Sequence, residues 1–312
     1  MPSYAPTGLR GLLTTPIRAA LDSSRFPQEQ YTDPPGDQGL FGPDSAAWYV
    51  HGDPLTLVGG VSALMLQTLH PLAMAGVAQH SDFRERPYAR LSRVASFVAA
   101  TTYGSTEVAM SVVDSVKAVH QRVIGIAPDG RPYAAGDPEL LTWVHVCEMA
   151  SFLEAHLRYH PRPLRGDDLD RYYDETAVVA ELLGATDVPR SRAEVAAYFD
   201  AVGPELEAGP DALETIRWIQ SGKGGSPPER AAYQMLVGAA IDLLPAWSRE
   251  MLRLRRITPV ALGVVRPWTW VGLRTLRILG GTPLPIAQAR ARCAAEPNGA
   301  RGLGTSSGAD VI

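Results

Sequence analysis

Ser105-Thr-Glu-Val-Ala-Met-Ser-Val-Val-Asp-Ser-Val-Lys-Ala-Val-His120-Gln-Arg-Val-Ile124 reads as one amphipathic helix. Ser105 suits the cap position, and Glu107 sits where the positive end of the helix dipole favours an acid. Ala109, Val112, Val113, Val116, Val119 and Val123 recur at three- and four-residue steps, the apolar stripe of a helix packed on one face. Ser111, Asp114, Lys117, Gln121 and Arg122 take the other face, and Gly125 and Pro128 stop the run. His120 falls inside the stripe, four residues after Val116, so its ring is expected to point inward near the end of a buried face. Two readings fit such a histidine. One is a core imidazole bonded to a backbone carbonyl; the other is an axial ligand to a haem iron, which a neutral imidazole on a buried helix face suits.

The surrounding chain of 312 residues is 46% hydrophobic and 20% charged, enough for a sizeable core. A formal net charge of -4 gives no electrostatic case for a nucleic-acid partner. Cys147 and Cys293 make no disulfide framework and no C-x-x-C pair, which fits a reducing compartment. Arg10 and Arg18 break up the apolar runs near the start, and no arginine pair opens the chain, so a cytoplasmic location is expected. Residues 54–81 carry no charged side chain and are long enough to cross a bilayer. Gly59-Gly60, Gln67, His70 and Pro71 interrupt them, so two short buried helices are expected, near 61–69 and 72–79, the second started by Pro71. The apolar stretch 257–279 is broken by Arg266, Arg274 and Arg277. A packed or surface-lying helix with weak membrane-surface affinity is expected there rather than a span.

Residues 1–42, rich in Pro, Gly and Asp (Asp33-Pro34-Pro35-Gly36-Asp37), read as an irregular arm. A helix or turn follows at 45–51, and a helix at 88–103 has Leu91, Val94, Val98 and Thr101 inward. Arg90 lies on that same side, with Arg93 beside it. Asp137-Pro138-Glu139 opens a helix to about residue 159, lined on one side by Leu141, Val144, His145, Glu148, Phe152 and Ala155. His145 is therefore a second inward histidine, with Glu148 one turn on as a hydrogen-bond partner, while His156 and His160 are placed at the exposed end. Further helices are expected at 167–183, 191–202 (with Ser191 and Glu194 as a capping box), 212–220, 228–243, 246–256 and 259–279, the last kinked at Pro267. With no repeat and no hairpin pattern, the chain reads as all-α: one multi-helix domain over 43–290 and a disordered tail over 291–312.

Several chemistries drop out. A di-iron bundle needs paired Glu-x-x-His motifs, which are absent. His156-Leu-Arg-Tyr-His160 has the spacing of a zinc protease, but Leu157 stands in place of the general-base Glu, so it reads as a solvated helix end. No P-loop or serine-hydrolase elbow occurs. What remains is an apolar helical cavity with two inward histidines, His120 and His145, and two arginines, Arg90 and Arg93. Haem suits that set: apolar walls for the ring, an imidazole for the iron, arginine for the propionates.

An ordered series of motifs strengthens that assignment. Gly59-Gly60-Val-Ser-Ala-Leu-Met-Leu-Gln-Thr-Leu-His70-Pro71 and Ala75-Gly-Val-Ala-Gln-His80-Ser81-Asp82-Phe83 come first. Arg90-Leu-Ser-Arg93, Tyr103-Gly104, His120-Gln-Arg-Val-Ile-Gly125, Tyr133-Ala-Ala-Gly-Asp137-Pro138, Trp143-Val144-His145, Tyr172-Tyr173 and Arg266-Pro267 follow. Over about residues 40 to 280 this series resembles the MpaB / latex-clearing rubber-oxygenase catalytic-domain family. The resemblance implies a globin-like helical core binding haem b, a proximal histidine at His120, an arginine at Arg90, and oxidative cleavage of isoprenoid double bonds by dioxygen. Arg93 stands where the rubber enzymes carry a distal lysine, Val94 stands where threonine is preferred, and no residue is assigned to their acidic base.

The expectation is thus a haem b-dependent oxygenase acting with dioxygen on an apolar, alkene-containing small molecule. His120 would be the iron ligand, Arg90 and Arg93 would face the distal side or the propionates, and His145 would complete the pocket. Attachment would be non-covalent, because no C-x-x-C-H occurs. A haem carrier or gas sensor, or a peroxidase-like tailoring enzyme, are the alternatives. His145, then His70 or His80, are the other candidate ligands.

Overall fold

The charge-free stretch forms two helices, Thr56–Gln67 and Pro71–His80, bent by 105°. Pro71 at the first position of the second helix fixes the break, since its ring fits a first turn and not a helix interior. The computed structural model describes residues 29–81, 87–222, 226–254 and 259–296, with the backbone alone at 29–30, 87–92, 228, 259–262 and 279. Arg90 and Leu91 therefore have side chains outside the described part, as do Asp82, Phe83 and the ends of the chain.

In order, the helices are α1 (Glu29–Thr32), α2 (Ala46–His51), α3 (Thr56–Gln67), α4 (Pro71–His80), α5 (Pro87–Tyr103) and α6 (Thr106–His120). After a ribbon of β1 (Ile124–Ile126) and β2 (Pro132–Ala134) come α7 (Pro138–Tyr159), α8 (Asp168–Leu183), α9 (Arg192–Val202) and α10 (Pro210–Ser221). The chain continues through α11 (Pro227–Leu243), α12 (Ala246–Met251), α13 (Pro259–Gly280) and α14 (Leu284–Ala294). Apart from that two-stranded antiparallel ribbon, the described residues carry no strand, so the chain is all-α.

The central pair is α3 on α7. A Cβ on Gly59 would sit 2.8 Å from Phe152 Cδ1 and 2.9 Å from the Ser151 carbonyl oxygen, so only glycine lets these two backbones close up. Val58, Val61, Met65 and Leu66 of α3 pack with Trp143 and Cys147 of α7 and with Ala240 and Leu243 of α11. Each such aliphatic side chain stabilises the fold by about 1.5–3 kcal/mol through water exclusion. An α3 buried on all sides reads as apolar on all sides, which explains its likeness to a span. Among the described residues, no single helix is long and apolar enough to cross a membrane.

Capping follows the sequence closely. Ser105 accepts from Val108 N, and Asp137 from Glu139 N at 2.9 Å. Ser191 accepts from Glu194 N, but Glu194 accepts from Arg190 N at 2.6 Å, so that capping box is formed only in half.

Three expectations are corrected. The helix begun at Ser105 ends at His120, not near 124, because 124–126 pair with 132–134; Gly125 lies flat on the Tyr133 ring, whose oxygen would be 2.5 Å from a Cβ there. The ordered part runs past 290: α14 continues to Ala294, and Arg292 is 2% exposed. Its guanidinium donates to the carbonyls of Tyr31, Asp37, Tyr103 and Gly104 at 2.9–3.2 Å, tying α14 to the first described segment and to the α5–α6 corner. Finally, His156 is no solvated helix end. It is fully buried, stacks on His160 at 4.5 Å, and its Nε2 accepts from Leu164 N at 3.0 Å because the loop after α7 folds back over it.

Candidate functional site

Helices α2 to α8 and α10 wall a cavity of about 780 Å³, within the usual size range of small-molecule and cofactor sites. Leu72, Val77, Phe97, Val98, Val116 and Val144 give it a mainly apolar lining. Arg93 and Glu148 are the charged side chains on that lining among the described residues. The stripe on α6 explains how the cavity is opened. Ala109, Val112 and Val113 are buried in packing, whereas Val116, Val119 and His120, further along the same face, line the cavity.

His120 is the last residue of α6. Its Nδ1 is buried with no hydrogen-bond partner, and burial pushes the imidazole's pKa below its ordinary value, which favours the neutral ring. A buried nitrogen left unsatisfied costs about 1–3 kcal/mol. His120 is therefore not a core histidine bonded to a carbonyl. His145, on α7, is also buried and lines the cavity; burial pushes its pKa down to about 4. Among the described residues it has no hydrogen-bond partner, so the bond expected from Glu148 is not made. Glu148 instead accepts from Gln67 Nε2 at 3.5 Å.

One further cavity imidazole was missed in the sequence. His51 ends α2, and its pKa is pushed down to about 3 by burial and then by the nearby His145. Thr102 Oγ1 meets its Nδ1 at 2.9 Å and the Tyr172 hydroxyl meets its Nε2 at 2.9 Å. The only hint of it was the Ser45 cap, which puts Ala47, Val50 and His51 on the inward side of a short helix. Glu148 was visible on the inward side of α7 but had been given only the part of holding His145.

The other candidate ligands are placed differently. His70 lies off the cavity lining, against the Trp143 ring; its Nδ1 is also buried without a hydrogen-bond partner, so its position and not its pairing sets it apart from His120. His80 lines the cavity, but its Nε2 meets the Tyr133 hydroxyl at 3.1 Å. That hydroxyl donates to Gln79 Oε1 at 2.7 Å, so His80 Nε2 is the donor and has no lone pair to offer. Arg93 lines the cavity and is exposed to solvent. The fold thus brings Arg93, His120 and His145 to one space.

Among the described residues, no three His, Cys, Asp or Glu side chains are grouped to hold a bare metal ion. An iron carried in a macrocycle asks less of the protein: one imidazole, an apolar slot and cations at the rim. The donor set on this cavity fits that requirement.

A family model described as ER-bound oxygenase mpaB/B'/Rubber oxygenase, catalytic domain, matches residues 48–278. Comparison with curated proteins gives no match, and comparison with solved structures gives none.

Proposed function

The chain belongs to the mpaB and rubber-oxygenase catalytic-domain family, a family of oxygenases, and from that premise we propose that its cavity binds haem b and oxidises an apolar, alkene-containing small molecule with dioxygen. The observation that carries this reading is His120, whose Nδ1 is buried without a hydrogen-bond partner on the wall of a large apolar cavity and whose pKa burial lowers. When bound, haem supplies the iron centre that activates dioxygen.

The chain's own residues would do the rest. His120, at the end of α6, would hold the iron. Arg93 on the cavity lining would offer a cation to the haem's carboxylates, a part that the family pattern also gives to Arg90. Phe97, Val98 and Val116 exclude water and hold an apolar substrate by contact. Glu148 is the carboxylate base that the sequence left unassigned: it is the acidic side chain on the cavity lining, positioned by the Gln67 amide. His145 stays neutral at physiological pH, so it offers one donor and one acceptor beside the substrate.

An absorption spectrum of the purified chain, before and after haem is added, tests the reading. A Soret band is expected; a chain that stays colourless after haem addition overturns it. Dioxygen uptake with an alkene then separates turnover from mere haem carriage.

A further inference from the structure

We propose that the outer face of α13 docks on the surface of an anionic lipid bilayer. The inner face of this helix packs into the protein: Val265, Leu273 and Leu276 belong to the core shared with α11. Outside, Val264, Trp268, Val271 and Ile278 are 46–68% exposed and, at steps of four, three and seven, share one stripe. Leu284, at the start of α14, is exposed as well. Trp270 sits on the flank at 39% exposure, with the Arg274 guanidinium over its ring at 5.2 Å. A contiguous apolar stripe with two exposed tryptophans is costly against water, and tryptophan beside arginine suits the level of lipid headgroups.

Charge selects the occupant. Residues 251–295 contain eight arginines and no Lys, Asp or Glu, while the rest of the chain has 21 basic and 33 acidic side chains. Arg277 is paired with Asp53, Arg266 with Asp242, and Arg292 is buried. Arg253, Arg274 and Arg290 remain exposed. A second copy meeting this face through a two-fold axis would set an acid-free segment against itself. An anionic bilayer offers the opposite charge, with about 1 kcal/mol from each basic side chain near its surface. The helix lies on the surface rather than crossing, since Arg266, Arg274 and Arg277 interrupt it and its inner face is taken.

Flotation of the full chain with phosphatidylcholine vesicles, with and without phosphatidylserine, tests this. Binding is expected with phosphatidylserine at low salt, with most of it lost at high salt and little on phosphatidylcholine alone. Arg274→Gln should weaken binding about fivefold, and Trp268→Ser with Val271→Ser should abolish it. Trp268→Phe, which keeps a ring on the face, should retain it. Unchanged melting temperatures show that the variants are folded. No flotation of the wild type with either vesicle at low salt, or a serine variant that floats like the wild type, overturns the proposal. A dimer that the serine pair converts to a monomer, without vesicle binding, assigns the face to a second copy instead. None of these outcomes depends on haem.

Discussion

His51 and Tyr172 meet nitrogen to oxygen at 2.9 Å, and this contact sets His51 apart from the other cavity imidazoles. The Tyr172 hydroxyl also lies 3.4 Å from Met149 Sδ, and Thr102 Oγ1 lies 2.9 Å from His51 Nδ1, so each ring nitrogen has a hydroxyl partner in either tautomer. Both nitrogens of His51 are occupied, which leaves His120 and His145 to act on a bound group. Tyr172→Phe removes one partner and leaves His51 Nε2 unpaired. A loss of about 1–3 kcal/mol in urea unfolding is expected, with Thr102→Val adding a comparable loss on the other side of the ring. An unchanged unfolding midpoint in both variants would mean that the network does not hold the ring.

His120→Ala should lose the Soret band, or shift it fully, whereas His145→Ala should keep haem and alter turnover. Retention of an unchanged spectrum in the first and its loss in the second would exchange the two roles.

Acid should destabilise the haem-free chain earlier than carboxylate protonation alone would. His51 is held at about 3, and His145 and His156 at about 4, against an unfolded value near 6.5. Between those limits the unfolded chain binds more protons than the folded one, so stability falls as pH falls. Each group adds up to about 1.4 kcal/mol per pH unit to that slope. Urea midpoints from about pH 7 down to about pH 4.5 should therefore drop steadily, and His156→Gln should flatten the fall. Midpoints that hold constant over this range would show that these rings are protonated within the fold.

Gly59→Ala and Gly60→Ala should move stability in opposite directions. The first drives a methyl to 2.8 Å from Phe152 and costs about 1–3 kcal/mol. The second meets Phe152 Cε1 at 3.8 Å, ordinary contact, and gains up to about 1 kcal/mol of helix propensity. Thermal unfolding of the two variants side by side reads the difference.

What the sequence made legible was periodic and local. The start of the helix at Ser105 with its stripe, the cap at Asp137 and the break at Pro71 depend on neighbours within a turn or two, and they stand where expected. What it hid depends on distant partners. The ribbon strands are three residues each, too short to show alternation. His156 looked solvated from its place near a helix end, and only the folded-back loop at Leu164 buries it. His51 gains its meaning from Thr102 and Tyr172, which are 51 and 121 positions away. Arg90 was legible as a motif residue, but its side chain lies outside the described part, so its role rests on the family pattern.

The Arg292 clamp has a consequence for the order in which the protein can be completed. Its acceptors at Tyr31 and Gly104 leave the ribosome 261 and 188 residues earlier. Until α14 has been made, those carbonyls have no guanidinium to receive, and Trp48 and Tyr103 lack the Ile286 and Ala289 side chains that cover them. A nascent chain stopped before residue 284 is therefore expected to hold its central helices with one flank open, available to chaperones and proteases. Among the described residues, the last helix to be synthesised closes over the first segment to be made.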